Sequence, residues 1–243
     1  MSRTWSQLLR GELIKTVTTR TVLGFALGGV AFAVLNVLAV AVWSGTLDEV
    51  PEKEEALSAL PILLLLWGLV GTAGEYRHRT AAPAALVGRR HREVVLSARI
   101  AAYALTGLLL GALTTVVSVG LGLPLLDAQP GPDLTPGDIG AVVVGNLLAF
   151  VLFAILGAAL GALIRTPVLG VVVLLVVDFA VVPLLSDVWE SAINLTPFGA
   201  AGILSRMTHN TTLSVASAGW VLAAWTVAVT LVAVVVERRR DLA

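Results

Sequence analysis

Apolar residues run along this chain in long blocks separated by short charged segments. A helix crossing a bilayer needs about 20 largely apolar residues to cover roughly 30 Å of hydrocarbon. Six stretches meet that length: Thr21–Trp43, Ala56–Gly74, Ala98–Leu126, Ile139–Ile164, Val168–Ser186 and Ser217–Val236. The third is longer than a bilayer requires, which predicts tilt or an extension past one interface. Only Arg165-Thr166-Pro167 separates the fourth from the fifth.

Residues 1–20 carry a different pattern. Trp5, Leu8, Leu9, Leu13 and Val17 fall close to helical spacing, with Arg3, Gln7, Arg10 and Lys15 at polar positions. This predicts an amphipathic helix lying in the membrane interface. Glu12 and Lys15 interrupt the segment and no short apolar region with a cleavage site follows, so it does not read as a cleavable signal peptide. Residues 187–216 are half apolar, with Trp189, Ile193, Leu195 and Phe198 interspersed with Pro197 and Gly199. That stretch is too short and interrupted to cross twice and predicts a pair of short helices in, or dipping into, the outer interface. The expected fold class is therefore all-α: a polytopic membrane protein, residues 1–243 forming one transmembrane domain of six spans.

Composition agrees. The 243 residues are 57% hydrophobic and 13% charged, against roughly 45–50% and about 25% in soluble domains, and the mean hydropathy is +0.93. Sixteen basic and 16 acidic residues cancel, which leaves no basic excess to suggest nucleic acid as a partner. Sorted by segment, however, 14 of the 16 Lys and Arg fall on one side of the spans, and only Lys53 and Arg206 fall on the other. The positive-inside rule makes both termini cytoplasmic. Asp48, Glu49, Glu52, Glu54, Glu55, Asp127, Asp133, Asp138, Asp187 and Glu190 fall outside. An Arg-, Ala- and Val-rich composition of this kind reads as bacterial, so the expected location is the cell membrane, and Asn194-Leu195-Thr196 and Asn210-Thr211-Thr212 are expected to stay unmodified.

Several chemistries are excluded. Every stretch outside the spans is too short to build a core of its own. The two lysines, Lys15 and Lys53, follow Ile14 and Glu52, so no phosphate-cradling Gly-Lys-Ser/Thr loop exists. His78, His91 and His209 form no His-Glu-x-x-His pair. Cysteine is absent, which removes disulfides, thiolate catalysis and Cys-based metal sites. The chain is expected to be a non-enzyme with no catalytic, metal or cofactor site. Asp178 is the one ionisable residue in mid-span; facing lipid it would cost about 2.5–3.5 kcal/mol. It is either a substrate-contacting or proton-sensitive group, or a packing residue near the carbonyl that Pro183 frees. Gly24-x-x-x-Gly28, Gly107-x-x-x-Gly111 and Gly157-x-x-x-Gly161 each put two glycines on one helix face for close packing, within a subunit or a dimer.

The segment 75–97 is the largest on the cytoplasmic side. It reads Gly74-Glu75-Tyr76-Arg77-His78-Arg79-Thr80, an apolar stretch containing Leu86, then Gly88-Arg89-Arg90-His91-Arg92, with Arg99 entering the third span. Arginines alone fix topology and meet anionic headgroups, but that does not account for Glu75 and Tyr76 together at the membrane exit. Here the chain resembles the permease subunits of type-2 ABC transporters, exporters with six helices per subunit. Gly74, Glu75, Tyr76, Arg77, Thr80, Leu86, Arg89, Arg90 and Arg99 match the family pattern, as do the amphipathic start with Glu12 and Lys15, the Leu195-Thr196-Pro197-Phe198 turn and the Arg238–Asp241 ending. Arg79 stands where glycine is common, and Gly88 where proline is common. The resemblance implies that two permeases, alike or different, pair above a separate ATPase dimer, which binds ATP and Mg. It implies that Glu75, Tyr76, Arg77, Thr80, Leu86, Arg89, Arg90 and Arg92 form the ATPase-coupling segment. The interfacial helix with Trp5, Glu12 and Lys15 would be a second contact, and membrane lipids surround the whole. Sparse polar side chains in the spans, such as Asn36, Asn146 and Asp178, lean toward hydrophobic or amphipathic cargo such as a drug, antibiotic or lipid. A non-transporting scaffold and an ion-coupled carrier using Asp178 are the alternatives.

Overall fold

The computed structural model of the protein describes residues 2–43, 45, 47–78, 92–184, 190–209 and 211–239. They are helical, with no strand among them, and six helices are long and apolar enough to span a membrane. In chain order the elements are α1 (Ser2–Thr18), α2 (Arg20–Trp43), α3 (Val50–Leu57), α4 (Ile62–Arg77), α5 (Arg92–Leu126), α6 (Pro136–Ile164) and α7 (Pro167–Val176). A π-helical turn (Val177–Val181), a 3₁₀ helix (Glu190–Leu195), α8 (Pro197–Leu204) and α9 (Val215–Arg239) complete it. Successive spans alternate in direction. One end of the bundle thus collects Arg20, Arg77, Arg165 and Arg239, and is called the basic end below. The other collects α3, Asp127, Asp133 and Asp138 and is called the acidic end.

The span ends shift from the sequence reading where capping chemistry decides them. The fourth begins at Pro136, not Ile139. Thr135 caps it by accepting from the Asp138 backbone at 3.3 Å, while the Asp138 carboxylate accepts from the Thr135 N–H at 2.9 Å, and Pro136 sits where a missing N–H costs nothing. The second span starts with α3, so the charged residues just before Ala56, which the sequence reading leaves outside the spans, are helical and packed. Lys53 is buried, donating to the Leu126 carbonyl at 3.4 Å, and Glu54 pairs with Arg206 at 3.4 Å. The α3–α4 break leaves backbone groups that side chains satisfy. Asn36 donates to the Glu55 carbonyl at 3.0 Å, and Asn146 donates to the Leu57 carbonyl at 3.2 Å while accepting from the Ala59 N–H at 3.4 Å. Two of the three polar side chains that leaned toward cargo are thus structural. α5 has 35 residues, about 52 Å of helix, more than the roughly 30 Å of a hydrocarbon core.

The spine of the bundle is α4 against α6. Lipid is as apolar as leucine, so close packing rather than hydrophobic transfer holds spans together. A side chain at Gly68 would stand 2.6 Å from the Ala154 carbonyl, and one at Gly161 would stand 2.6 Å from the Leu69 carbonyl. Gly157 abuts the Leu65 carbonyl in the same way, and Gly107 and Gly111 receive Ala154 and Phe150. Two of the three small-residue motifs are therefore spent inside the chain, while Gly24 and Gly28 face open space. Trp67 and Tyr103 pack edge to face at 4.6 Å in this core. Of the span windows, 67% is buried for α3–α4 and 56% for α6, but 22% for α2 and 17% each for the α7 span and α9. The last three are the helices with most surface left for lipid or another chain.

Candidate functional site

Charges cluster where α1, α4 and α5 meet at the basic end. Arg99, one turn into the spanning part of α5, is 2% exposed. Its Nε donates to Glu12 Oε2 at 3.2 Å and its Nη2 to Glu75 Oε2 at 2.6 Å. Lys15 closes the ring, donating to Glu12 Oε1 at 2.7 Å and to Glu75 Oε2 at 3.2 Å. Among the described residues two cations face two carboxylates, so this quartet is formally neutral. Charge-assisted bonds of this length offset the desolvation that burial imposes. One turn along α1, the Thr16 hydroxyl meets Thr106 at 3.1 Å. Trp5 Nε1 donates to Ser97 at 3.3 Å.

A second group adjoins the first. Arg165 ends α6 in the left-handed conformation, φ 59°, and its Nη2 donates to Glu237 of α9 at 2.8 Å. Its guanidinium lies 4.7 Å from the Tyr76 ring centroid, and that of Arg99 lies 5.6 Å from it. Tyr76 thus sits between two cations, each over an aromatic face. Six side chains in direct contact, Glu12, Glu75, Tyr76, Arg99, Arg165 and Glu237, bind together α1, α4, α5, α6 and α9.

Five of the twelve expected site residues find places here. Glu12, Lys15, Glu75 and Tyr76 come together, and Trp5 packs nearby. Arg77 closes α4 and Arg92 opens α5. Thr80, Leu86, Arg89 and Arg90 lie outside the described residues, as do Arg79 and Gly88 of the same stretch. α1 buries a mixed stripe against the bundle. Leu8, Glu12 and Thr16 point inward at four-residue spacing, while Ile14 and Val17 are exposed. On α5, Arg99 meets Glu12 and Thr106 meets Thr16, while Val95 and Ala98 pack with Leu8.

Arg165 and Glu237 were missed, and Arg99 was read only as a family position. The available signal was the acids rather than the arginines. Glu12, Glu75 and Glu237 stand at span ends on the side where the positive charges gather, so each needed a cationic partner.

Asp178 lies far from this cluster, in the π-helical turn, where the Val182 N–H bonds the Val177 carbonyl five residues back. Pro183 withdraws one N–H from the helix just beyond it, and such widened turns are frequent at functional sites. Asp178 is half-buried and makes no hydrogen bond or ion pair with a described residue.

No group of His, Cys, Asp and Glu among the described residues is arranged to hold a metal ion. No protein-family model matches the chain, and no curated protein matches it.

Proposed function

We propose that the protein is the membrane-spanning permease subunit of an ATP-driven exporter of the ABC type, with ATP hydrolysed by a separate ATPase dimer. The observation that carries the reading is the neutral four-charge cluster of Glu12, Lys15, Glu75 and Arg99. It ties α1 to the last turn of α4 and the first turns of α5, the elements that flank residues 79–91 in the sequence. A push on that segment or on α1 would reach the α4–α6 spine through short charge-assisted bonds and not through a loose tether. On this reading the basic end is cytoplasmic and the pumped solute is apolar or amphipathic. The energy, on the same reading, comes from the ATPase partner.

The test is co-expression with a candidate ATPase. Wild-type protein is expected to co-purify with it and raise its ATP turnover. Glu75→Gln or Arg99→Lys is expected to retain the complex while lowering the stimulation. Unchanged stimulation in both variants, or no ATP-dependent flux of any solute, sinks the coupling role.

The lack of a partner for Asp178 favours a second reading, an ion-coupled carrier. It predicts flux in liposomes without any ATPase, abolished by Asp178→Asn. ATP-dependent flux that survives that change removes it.

A further inference from the structure

At the acidic end, α8 is wedged between α6 and α9. Gly145 of α6 abuts the Leu204 carbonyl, and a side chain at Gly219 of α9 would meet Leu204 Cδ1 at 3.6 Å. The two long helices splay around this wedge and leave a groove of about 950 Å³ open on the flank of the bundle. Its α6 wall runs from Gly137 to Leu152, a length of about 22 Å at the helical rise. That matches one bilayer leaflet with its headgroup zone, half of roughly 40–45 Å. The floor is glycine and alanine, the α9 wall carries the exposed Trp220, and Arg206 is the one charged residue lining it.

Arg206 is underused for a cation at such a place. Its side chain is 31% exposed, and among the described residues its guanidinium makes one long bond, 3.4 Å, to Glu54. Its Nε is buried with no acceptor, although buried donors are almost always paired. His209, beside the same carboxylate, also buries an Nε2 without a partner. The other acid in reach, Asp138, is occupied by the Thr135 backbone and hydroxyl at 2.9 and 2.6 Å. Donor capacity at the mouth of an apolar, leaflet-long groove calls for an anion on an alkyl chain. An apolar helix of a second copy would fill the groove and leave the guanidinium unmet; a phosphate diester would satisfy it.

We propose that this groove binds one phospholipid, its acyl chain lying between α6 and α9 and its phosphate on Arg206. The site is independent of any ATPase. It is tested on the purified full chain in detergent by native mass spectrometry, titrating palmitoyl-oleoyl phosphatidylglycerol against the diacylglycerol with the same chains. One phosphatidylglycerol per chain is expected to be retained, and the diacylglycerol is expected to be retained far less. Gly140→Leu fills the groove from a position where a side chain meets nothing within 4 Å, and is expected to weaken retention about tenfold or more. Gly219→Leu does the same from the other wall, should the first variant fail to fold. The pair Arg206→Gln with Glu54→Gln, which removes the cation without orphaning the carboxylate, is expected to erase the preference for the phosphate-bearing lipid. Gly28→Leu, in open space on α2, is the unaffected control. The proposal is overturned by equal phosphatidylglycerol retention in wild type and the filled variants, or by diacylglycerol binding as well as phosphatidylglycerol. It is also overturned if groove filling dissociates a protein dimer and leaves the lipid bound.

Discussion

Replacing Arg99 with methionine is the most direct probe of the charge cluster. The side chains of Arg99 and Glu12 are 2% and 3% exposed, that of Glu75 is 15%, and Lys15 alone is well solvated at 42%. Methionine is apolar and roughly isosteric along the stem, so the packing loss is small. What changes is that a neutral quartet becomes a net negative trio, with Glu12 and Glu75 sharing Lys15. Breaking a buried pair by removing one partner costs about 3–5 kcal/mol, and that is the loss expected for Arg99→Met. Arg99→Lys keeps the charge but cannot reach both carboxylates from one fork. It forfeits one charge-assisted bond, about 1.5–3 kcal/mol. The decisive variant is the double Glu12→Gln/Arg99→Met, which restores neutrality because Lys15 still pairs with Glu75. It is expected to fall short of the sum of the single changes by about 1–3 kcal/mol. Equilibrium unfolding in mixed micelles followed by circular dichroism gives the energies, and hydrogen exchange across residues 2–18 shows whether α1 detaches first. The reasoning fails if Arg99→Met lies within about 1 kcal/mol of wild type, or if the double variant is additive.

Three further outcomes use the same unfolding assay. Gly157→Ala drives a methyl into the Leu65 carbonyl, backbone that cannot swing aside, and is expected to cost about 1–3 kcal/mol; Gly24→Ala, in open space, is expected to stay within about 0.5 kcal/mol of wild type. Asn146→Ala strands the Leu57 carbonyl and the Ala59 N–H at the α3–α4 break and is expected to cost about 1–3 kcal/mol for the buried groups left unpaired. At Arg165 both Ala and Gly lose the Glu237 pair, but only Gly relaxes at φ 59°, so Arg165→Gly is expected to be the more stable of the two by about 1 kcal/mol; equal stabilities would show that the left-handed cap carries no strain.

The six spans were legible because each is a continuous apolar run and the bilayer sets its length. Where local chemistry overrode hydropathy, the reading slipped. Ile139 looked like the start of the fourth span because Pro136-Gly137-Asp138 is not apolar, yet Thr135 and Asp138 form a capping box that the sequence spells out. The run Val50–Leu57 was unreadable for a different reason. Four of its eight residues are charged, which describes a solvated loop unless partners are known, and the partners of Lys53 and Glu54 lie 73 and 152 positions away. The charge cluster shows the same division. Glu12, Lys15 and Glu75 stood out singly, but their contacts span 60 and 87 positions, and no local pattern encodes a pairing at that distance. Which face of α1 meets protein was not legible at all: beside a membrane, and in reverse of a soluble helix, apolar side chains such as Ile14 and Val17 can stay exposed while a stripe carrying Glu12 and Thr16 meets protein.

That inversion bears on how the bundle can move. Glycine-to-carbonyl contacts along α4 and α6 leave no side-chain layer to deform, so the two helices behave as one stiff body, with α5 seated on it through Gly107 and Gly111. α1 is fastened to that body by charges and hydroxyls and by Leu8 against Val95 and Ala98, so it is expected to detach as a unit. α2 and the α7 span have few buried residues and no comparable backbone-to-backbone contacts, and the α7 span carries a π-helical turn just past its middle and Pro183 near its end. If a displacement is applied at the basic end, the spine is expected to move as a unit and the sparsely buried α7 span to tilt or rewind about Asp178. This predicts an order of hydrogen exchange: residues 177–184 first, α1 together with the first turns of α5 next, and the facing turns of α4 and α6 last. Exchange in α4 as fast as in the α7 span would mean that the glycine contacts do not form a rigid unit, and the mechanical argument for coupling through Glu75 and Arg99 would go with it.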